Sequence, residues 1–408
     1  MRLWLKLSFI NLLIVSLLGV VLRYKIAYAL PFVDQKFLLH AHSHFAFTGW
    51  ITQTLMILMV QNLISRGIPN AFKQYNALLI LNTISAFGML LSFPFQGYGA
   101  VSISFSTLSI VVFFAFAYCY MLHLKSLPAH PQNRWLYASL LFNILSSIGT
   151  FYLAYLMIGQ SGSQKQYLSA VYFFLHFQYN GWFFFASMGL LIPTLLRLHI
   201  NVNVLQGAFR IFFAACIPGY LLSVLWLPMS NWIYWIVVLA AVAPLYAWAR
   251  LWLDIRKHSH RFDEVFGKTA KWLLAAVSLA LTIKLLLQAG SVIPSLSKIS
   301  YTYRPIIIGY LHLILLGIFT LFLLAHIIQH QLLHFKRMAN IGLIIFTVGI
   351  VLNELVLMLQ GGSYMNYVSL PYFNEVLLGV ALVMFTGLAL LNAGTSVKKT
   401  DGVPCHSS

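Results

Sequence analysis

Three histidines stand within five residues in His40-Ala41-His42-Ser43-His44, and His176 and His312 each stand inside a comparable apolar run. Ionisable or ligating groups inside a membrane are costly, so they are read first as functional. Neutral imidazole ligates metals, heme iron included. On a helix His40 and His44 share one face, being i and i+4, and His42 points to the opposite side. A single histidine in such a run is more simply interhelical hydrogen-bonding glue. Three in one turn, with matched partners on two other runs, favour a heme or metal site.

The match is a spacing. His44 is followed by Gly49 and Trp50, His176 by Gly181 and Trp182, and His312 by Gly317, always with four residues between His and Gly. The histidines are 132 and 136 positions apart. A second pattern repeats in the next run of each set: Gly88-Met-Leu-Leu-Ser92, Gly219-Tyr-Leu-Leu-Ser223 and Gly349-Ile-Val-Leu-Asn353. Two patterns with one period predict three units of four helices, approximately 1–123, 136–253 and 270–394. His44, His176 and His312 then lie at one depth, roughly 10–12 Å below the outer surface at 1.5 Å per residue.

The elements that must position these residues follow from composition. Of 408 residues 61% are apolar and 8% charged, where a soluble domain carries about 25% charged residues. Backbone groups in lipid must be satisfied within the segment, which leaves helices or a closed barrel. The continuous apolar runs have helix-spanning length rather than the short alternation of barrel strands. They predict an all-α polytopic membrane protein of about twelve transmembrane helices. The spans are expected at 5–23, 37–63, 75–96, 100–123, 136–159, 167–196, 208–228, 231–253, 270–290, 305–329, 338–360 and 372–394. Residues 1–395 form a single transmembrane domain and 396–408 a cytoplasmic tail.

Charge predicts orientation. With the N-terminus inside, 18 Lys and Arg residues flank the spans on the cytoplasmic side. Six lie outside (Arg23, Lys25, Lys36, Lys165, Lys298 and Arg304), and Lys284 falls within span 9. This is the positive-inside bias, and it places both termini in the cytoplasm and the chain in the inner (cytoplasmic) membrane of the cell. The net charge of +18 then faces anionic lipid and needs no nucleic acid. Ala27-Tyr28-Ala29 resembles a signal cleavage site, but Arg23 and Lys25 disfavour cutting there. Cys119, Cys216 and Cys405 are scattered, with neither CxxC nor CxxCH spacing, and imply no covalent heme and no redox pair.

The pattern as a whole resembles subunit I of the heme–copper oxidases. Gly309-Tyr310-Leu311-His312, with Gly317 after it, is similar to that family's span-10 motif Gly-His-x-His, whose second His binds the low-spin heme. Leu39-His40-Ala41 with Gly49 is similar to the family's span-2 segment, and His42-Ser43-His44 with Gly49-Trp50 to an oxidase-type His-x-His motif. The resemblance thus leaves the span-2 ligand open among His40, His42 and His44. His176 resembles the position of the first copper ligand. There are departures. Tyr310 stands where the high-spin heme ligand belongs, and span 7, Ala215-Cys216-Ile217-Pro218-Gly219-Tyr220, lacks the family's His pair. The resemblance therefore implies a low-spin b-type heme on His312 and one span-2 histidine, a degenerate oxygen-reducing site, and no tightly held copper. It also implies partners: other respiratory membrane subunits, or a cytochrome or quinol donor. The role implied is electron transfer or an accessory one in the respiratory chain, and terminal oxidase activity is not expected.

Three further features are open to both readings. Lys284 and Glu354 lie at similar depth and suggest a buried pair near His312 or a propionate or proton path. His326, His330 and His334 have the spacing of a polar helix stripe, and His258 and His260 sit in a basic loop. The competing function is a multi-spanning transporter or permease without cofactor, since internal repeats and midplane polar residues also mark transporters.

Overall fold

The computed structural model describes residues 1–159, 162–297, 303–368 and 371–396. The loop residues Gln160, Ser161 and Lys298, the basic pair Lys398 and Lys399, and the tail after Ser396 lie outside them. Among the described residues twelve helices are long and apolar enough to cross a membrane. They are α1 (Arg2–Ala27), α2 (Gln35–Ser65), α3 (Ala71–Gln96), α4 (Ala100–Ser126), α5 (Pro131–Gly159), α6 (Gln164–Arg197), α7 (Val202–Val224), α8 (Asn231–Lys257), α9 (Lys268–Gly290), α10 (Arg304–Gln329), α11 (Arg337–Met365) and α12 (Phe373–Gly394).

The helices begin where local chemistry satisfies their first amides. Asp34 Oδ1 accepts from Phe37 N at 2.8 Å to start α2, and Ser163 with Gln166 forms a capping box on α6. Pro305 opens α10, where no N–H is needed. Helix α7 differs most from expectation, running Val202–Val224 rather than 208–228. Asn201 Oδ1 caps it by accepting from Asn203 N at 2.8 Å, so its polar first turn is helical although hydropathy reads only the part in hydrocarbon. Its far end carries Pro218, after which Tyr220–Val224 tightens into a 3-10 turn.

Helices α2, α6 and α10 form the centre. In their best spanning windows 72%, 72% and 56% of residues are buried, against 44% or less in the other nine. Helices α2 and α6 are also the least apolar of the twelve, because their polar side chains meet protein rather than lipid. Each central helix widens into a π-helical segment one residue after its matched histidine: Phe45–Thr52, Phe177–Phe183 and Leu313–Thr320. Runs of π-helix are rare and concentrate at functional sites.

The three segments close on one another. Trp50 Nε1 donates to Thr320 Oγ1 at 2.9 Å, joining α2 to α10. Trp182 Nε1 donates to Thr52 Oγ1 at 3.3 Å, joining α6 to α2. Both bonds run from the sixth residue after one histidine to the eighth after another. At the corresponding places on the third side stand Ile318 and Phe184, and Phe183 and Phe319 pack edge to face at 5.4 Å between α6 and α10.

The first and last of the twelve helices meet. Lys6 Nζ donates to the carbonyls of Asn392 and Thr395, Asn392 Nδ2 donates to Phe9 O at 3.0 Å, and β1 (His334–Phe335) pairs antiparallel with β2 (Thr395–Ser396). The start of α1 and the end of α12 therefore lie on one side. Helices α11 and α12 approach to backbone contact: a Cβ on Gly387 would stand 2.5 Å from Phe346 N, and one on Gly342 would stand 2.5 Å from Gly387 O.

Candidate functional site

The three histidines of α2 divide as their helical spacing requires. His40 and His44 face the end of α3. The His44 ring stacks on Phe93 at 4.5 Å, and its Nε2 lies 3.1 Å from the Tyr98 hydroxyl. The His40 ring packs 4.6 Å from Tyr98, and its buried Nε2 has no partner among the described residues. Gly97, at φ 56°, turns the chain off α3 and presents Tyr98. Burial pushes the Tyr98 hydroxyl up to about 12, so it keeps its proton at neutral pH and can donate it to His44.

His42 faces the other way, toward α1. Its Nδ1 lies 3.1 Å from Val15 O, and a Cβ on Gly19 would sit 3.5 Å from its Cε1. His312 on α10 has the same pattern, with Nδ1 2.9 Å from Ile308 O. A carbonyl only accepts, so each Nδ1 carries the proton and each Nε2 keeps its lone pair. Neither Nε2 hydrogen-bonds to a described residue, and both side chains remain half-buried rather than closed in. Arg23 of α1 lies within electrostatic range of His42, His312, Glu354 and Arg304, and His42 within range of His312. Glu354 accepts from Asn353 Nδ2 at 3.1 Å, and its Oε2 would meet a Cβ on Gly309 at 3.6 Å. Helices α1, α2, α10 and α11 thus bring two imidazoles with free Nε2 atoms, a guanidinium and a carboxyl together, with glycines on two walls.

His176 lies elsewhere, and its ring is fully engaged. Nε2 donates to Cys216 O at 2.8 Å, and Nδ1 accepts from Asn180 Nδ2 at 3.0 Å. Lys284 Nζ in turn donates to Asn180 Oδ1 at 2.6 Å. Beside this chain is a cavity of about 30 Å³ lined by His176, Asn180, Cys216, Gly219, Lys284 and Gln288 among others, room for about one water.

The expected Lys284–Glu354 pair is corrected. Similar depth does not put two residues on facing helix sides, and Lys284 bonds to α6 while Glu354 sits in the field of Arg23 on α1. The expected stripe of His326, His330 and His334 also breaks, because α10 ends at Gln329 and His334 belongs to β1. His326 and His330 pack ring to ring at 4.3 Å. His258 and His260 lie 6.4 Å apart, with His258 Nδ1 on Asp254 O at 2.9 Å. Among the described residues no group of three or more His, Cys, Asp or Glu is placed to hold a metal ion. Sequence reasoning missed Arg23, counting it only as an outer flank charge. Its signal was a guanidinium four residues beyond Gly19 in an apolar helix. No protein-family model matches the chain, and no curated protein matches it in sequence.

Proposed function

We propose that this chain is a membrane electron-transfer protein in which Nε2 of His42 and Nε2 of His312 hold one low-spin b-type heme. It would serve in the respiratory chain of the cytoplasmic membrane, as the resemblance to subunit I of the heme–copper oxidases implies. The observation that carries this is the matched pair of Nδ1–H···O=C bonds. A ligating imidazole almost always donates its other N–H in this way, which sets its tautomer, fixes its ring and raises its basicity. His42 and His312 share that arrangement on two central helices, while His40 and His44 spend their contacts on Phe93 and Tyr98.

The surroundings fit the same group. Gly19 lies beside His42, where an added Cβ would stand 3.5 Å from its Cε1, and Gly309 lies beside Glu354, so neither position puts a side chain into the site. Arg23 and Arg304 would supply positive charge for its carboxylates, since a guanidinium binds carboxylate in a fork of parallel N–H bonds. Held by these two residues, such a group would supply one-electron transfer chemistry. Val15 O and Ile308 O keep the two rings oriented.

Copper is not expected at His176, because its two nitrogens are already a donor to Cys216 O and an acceptor from Asn180, and the Lys284 ammonium stands beside them. The matched π segments and the two corresponding Trp-to-Thr bonds support three four-helix repeats, and the charge bias supports cytoplasmic termini. A quinol or cytochrome donor and neighbouring respiratory subunits are the partners this reading calls for. The second reading, a transporter without cofactor, draws on α7, which is interrupted at Pro218 and tightens into a 3-10 turn after Gly219, a residue that lines the small chamber with the buried Lys284.

The deciding experiment is a visible spectrum of the full-length protein purified in mild detergent after expression with ample heme. A Soret band with low-spin features is expected, and it should vanish in His312→Ala while the protein still inserts. A colourless wild-type protein would end the heme reading and leave the transporter as the leading one.

A further inference from the structure

A second, larger cavity adjoins the small chamber of His176 and is lined by none of the candidate histidines. It has a volume of about 800 Å³, within the size range of small-molecule sites. Its walls come from α6, α8, α9 and α10, and it runs along α6 from Phe184 to Leu198, roughly 20 Å at 1.5 Å per residue. Half a bilayer's hydrocarbon is about 15 Å thick, so the cavity has the length of one leaflet. Phe184 and Leu281 line both this space and the small chamber of His176, and so stand between them.

The lining is graded. At the deep end and along the shaft it is Leu, Met, Phe and Trp with few polar atoms. Trp248 Nε1 and Thr282 Oγ1 satisfy each other at 2.8 Å. The Ser187 hydroxyl has no partner among the described residues, and it can turn back to its own helix carbonyl as serines in helices do. The other end carries charge. Arg256 stacks over the Trp252 ring at 5.3 Å and forms no ion pair with a described residue, and Lys271 lies across the mouth in an ion pair with the exposed Asp263. Arg256 lies in the last turn of α8 and Lys271 in the first turn of α9, on either side of the basic loop that the charge bias assigns to the cytoplasmic face.

From this gradient we infer that the cavity is a binding site for one anionic phospholipid of the inner leaflet. An acyl chain fills the shaft between α6, α8, α9 and α10, and the phosphate rests between Arg256 and Lys271. Apolar burial supplies the tail's affinity, and charge at the mouth selects the head. A neutral isoprenoid such as a quinone would fill the shaft but gain nothing from the two cations.

Native mass spectrometry of the full-length protein tests this, using mild detergent and membranes containing phosphatidylglycerol and phosphatidylethanolamine. One retained phosphatidylglycerol per chain is expected, in wild type and in His312→Ala alike. Ser278→Phe, which fills the shaft, should abolish retention. The double substitution Arg256→Gln, Lys271→Gln should reduce phosphatidylglycerol retention at least ten-fold while phosphatidylethanolamine is unaffected. Should Ser278→Phe fail to fold, phosphatidylglycerol with brominated chains provides the second measurement. It should quench fluorescence that is lost in the Trp248→Phe, Trp252→Phe protein. A retained quinone, a head-group preference that survives the charge substitutions, or no quenching of these two tryptophans would overturn the inference.

Discussion

At the scale of the residue, the deciding property of an imidazole is what its second nitrogen does. His42 and His312 each give Nδ1–H to a carbonyl and keep Nε2 free, whereas His176 has used both nitrogens. Substituting the α2 histidines one at a time should therefore separate them. His42→Ala is expected to remove the low-spin heme spectrum as completely as His312→Ala. His40→Ala and His44→Ala should retain it, because those rings pack on Phe93 and Tyr98. Loss of the spectrum only in His44→Ala would move the ligand to the position favoured by the repeat. Arg23→Gln is a milder test: losing one charge-assisted bond should weaken heme retention by about ten-fold, or about 1.4 kcal/mol, measured by heme transfer to a soluble acceptor.

At the scale of the element, the π segments and the close packing of α11 on α12 carry the load. A π-turn widens the helix just past each histidine, and two indole-to-threonine bonds tie the widened turns together. Trp182→Phe removes a donor but keeps the ring's packing on Phe113. It should cost about 0.6–1.5 kcal/mol, the usual worth of one such bond in a membrane protein, read as a modest loss of thermal stability in detergent. Gly387→Leu should cost far more. Its side chain would have to occupy backbone space of α11, where overpacking typically costs about 1–3 kcal/mol or more. The measurement is the yield of monodisperse protein, and a normal yield would show that α11 and α12 can separate freely.

At the scale of the whole molecule, the meeting of Lys6 with Thr395 puts the described chain ends on one side. Reporter insertions should then read cytoplasmic after Gly267 and outside after Gly162; the reverse result would invert the charge-based orientation. If heme binds the folded state alone, its removal should lower thermal stability in proportion to its affinity, by about 2.7 kcal/mol at a hundredfold excess over Kd. Equal melting with and without heme would place the group outside the fold.

The spans, their number and the candidate histidines were legible in the sequence. A helix must cross about 30 Å of hydrocarbon with its backbone satisfied internally, and that need writes itself into runs of apolar residues. The sequence also placed His42 opposite His40 and His44, since helical spacing is local. Which side of α2 faces α10 was decided only by tertiary packing. Lipid and protein interior are almost equally apolar, so hydropathy does not record which face a helix turns inward. For the same reason depth alone wrongly paired Lys284 with Glu354. Rotation about the helix axes sends one to Asn180 and the other toward Arg23, and that rotation is fixed by close packing of residues far apart in the chain.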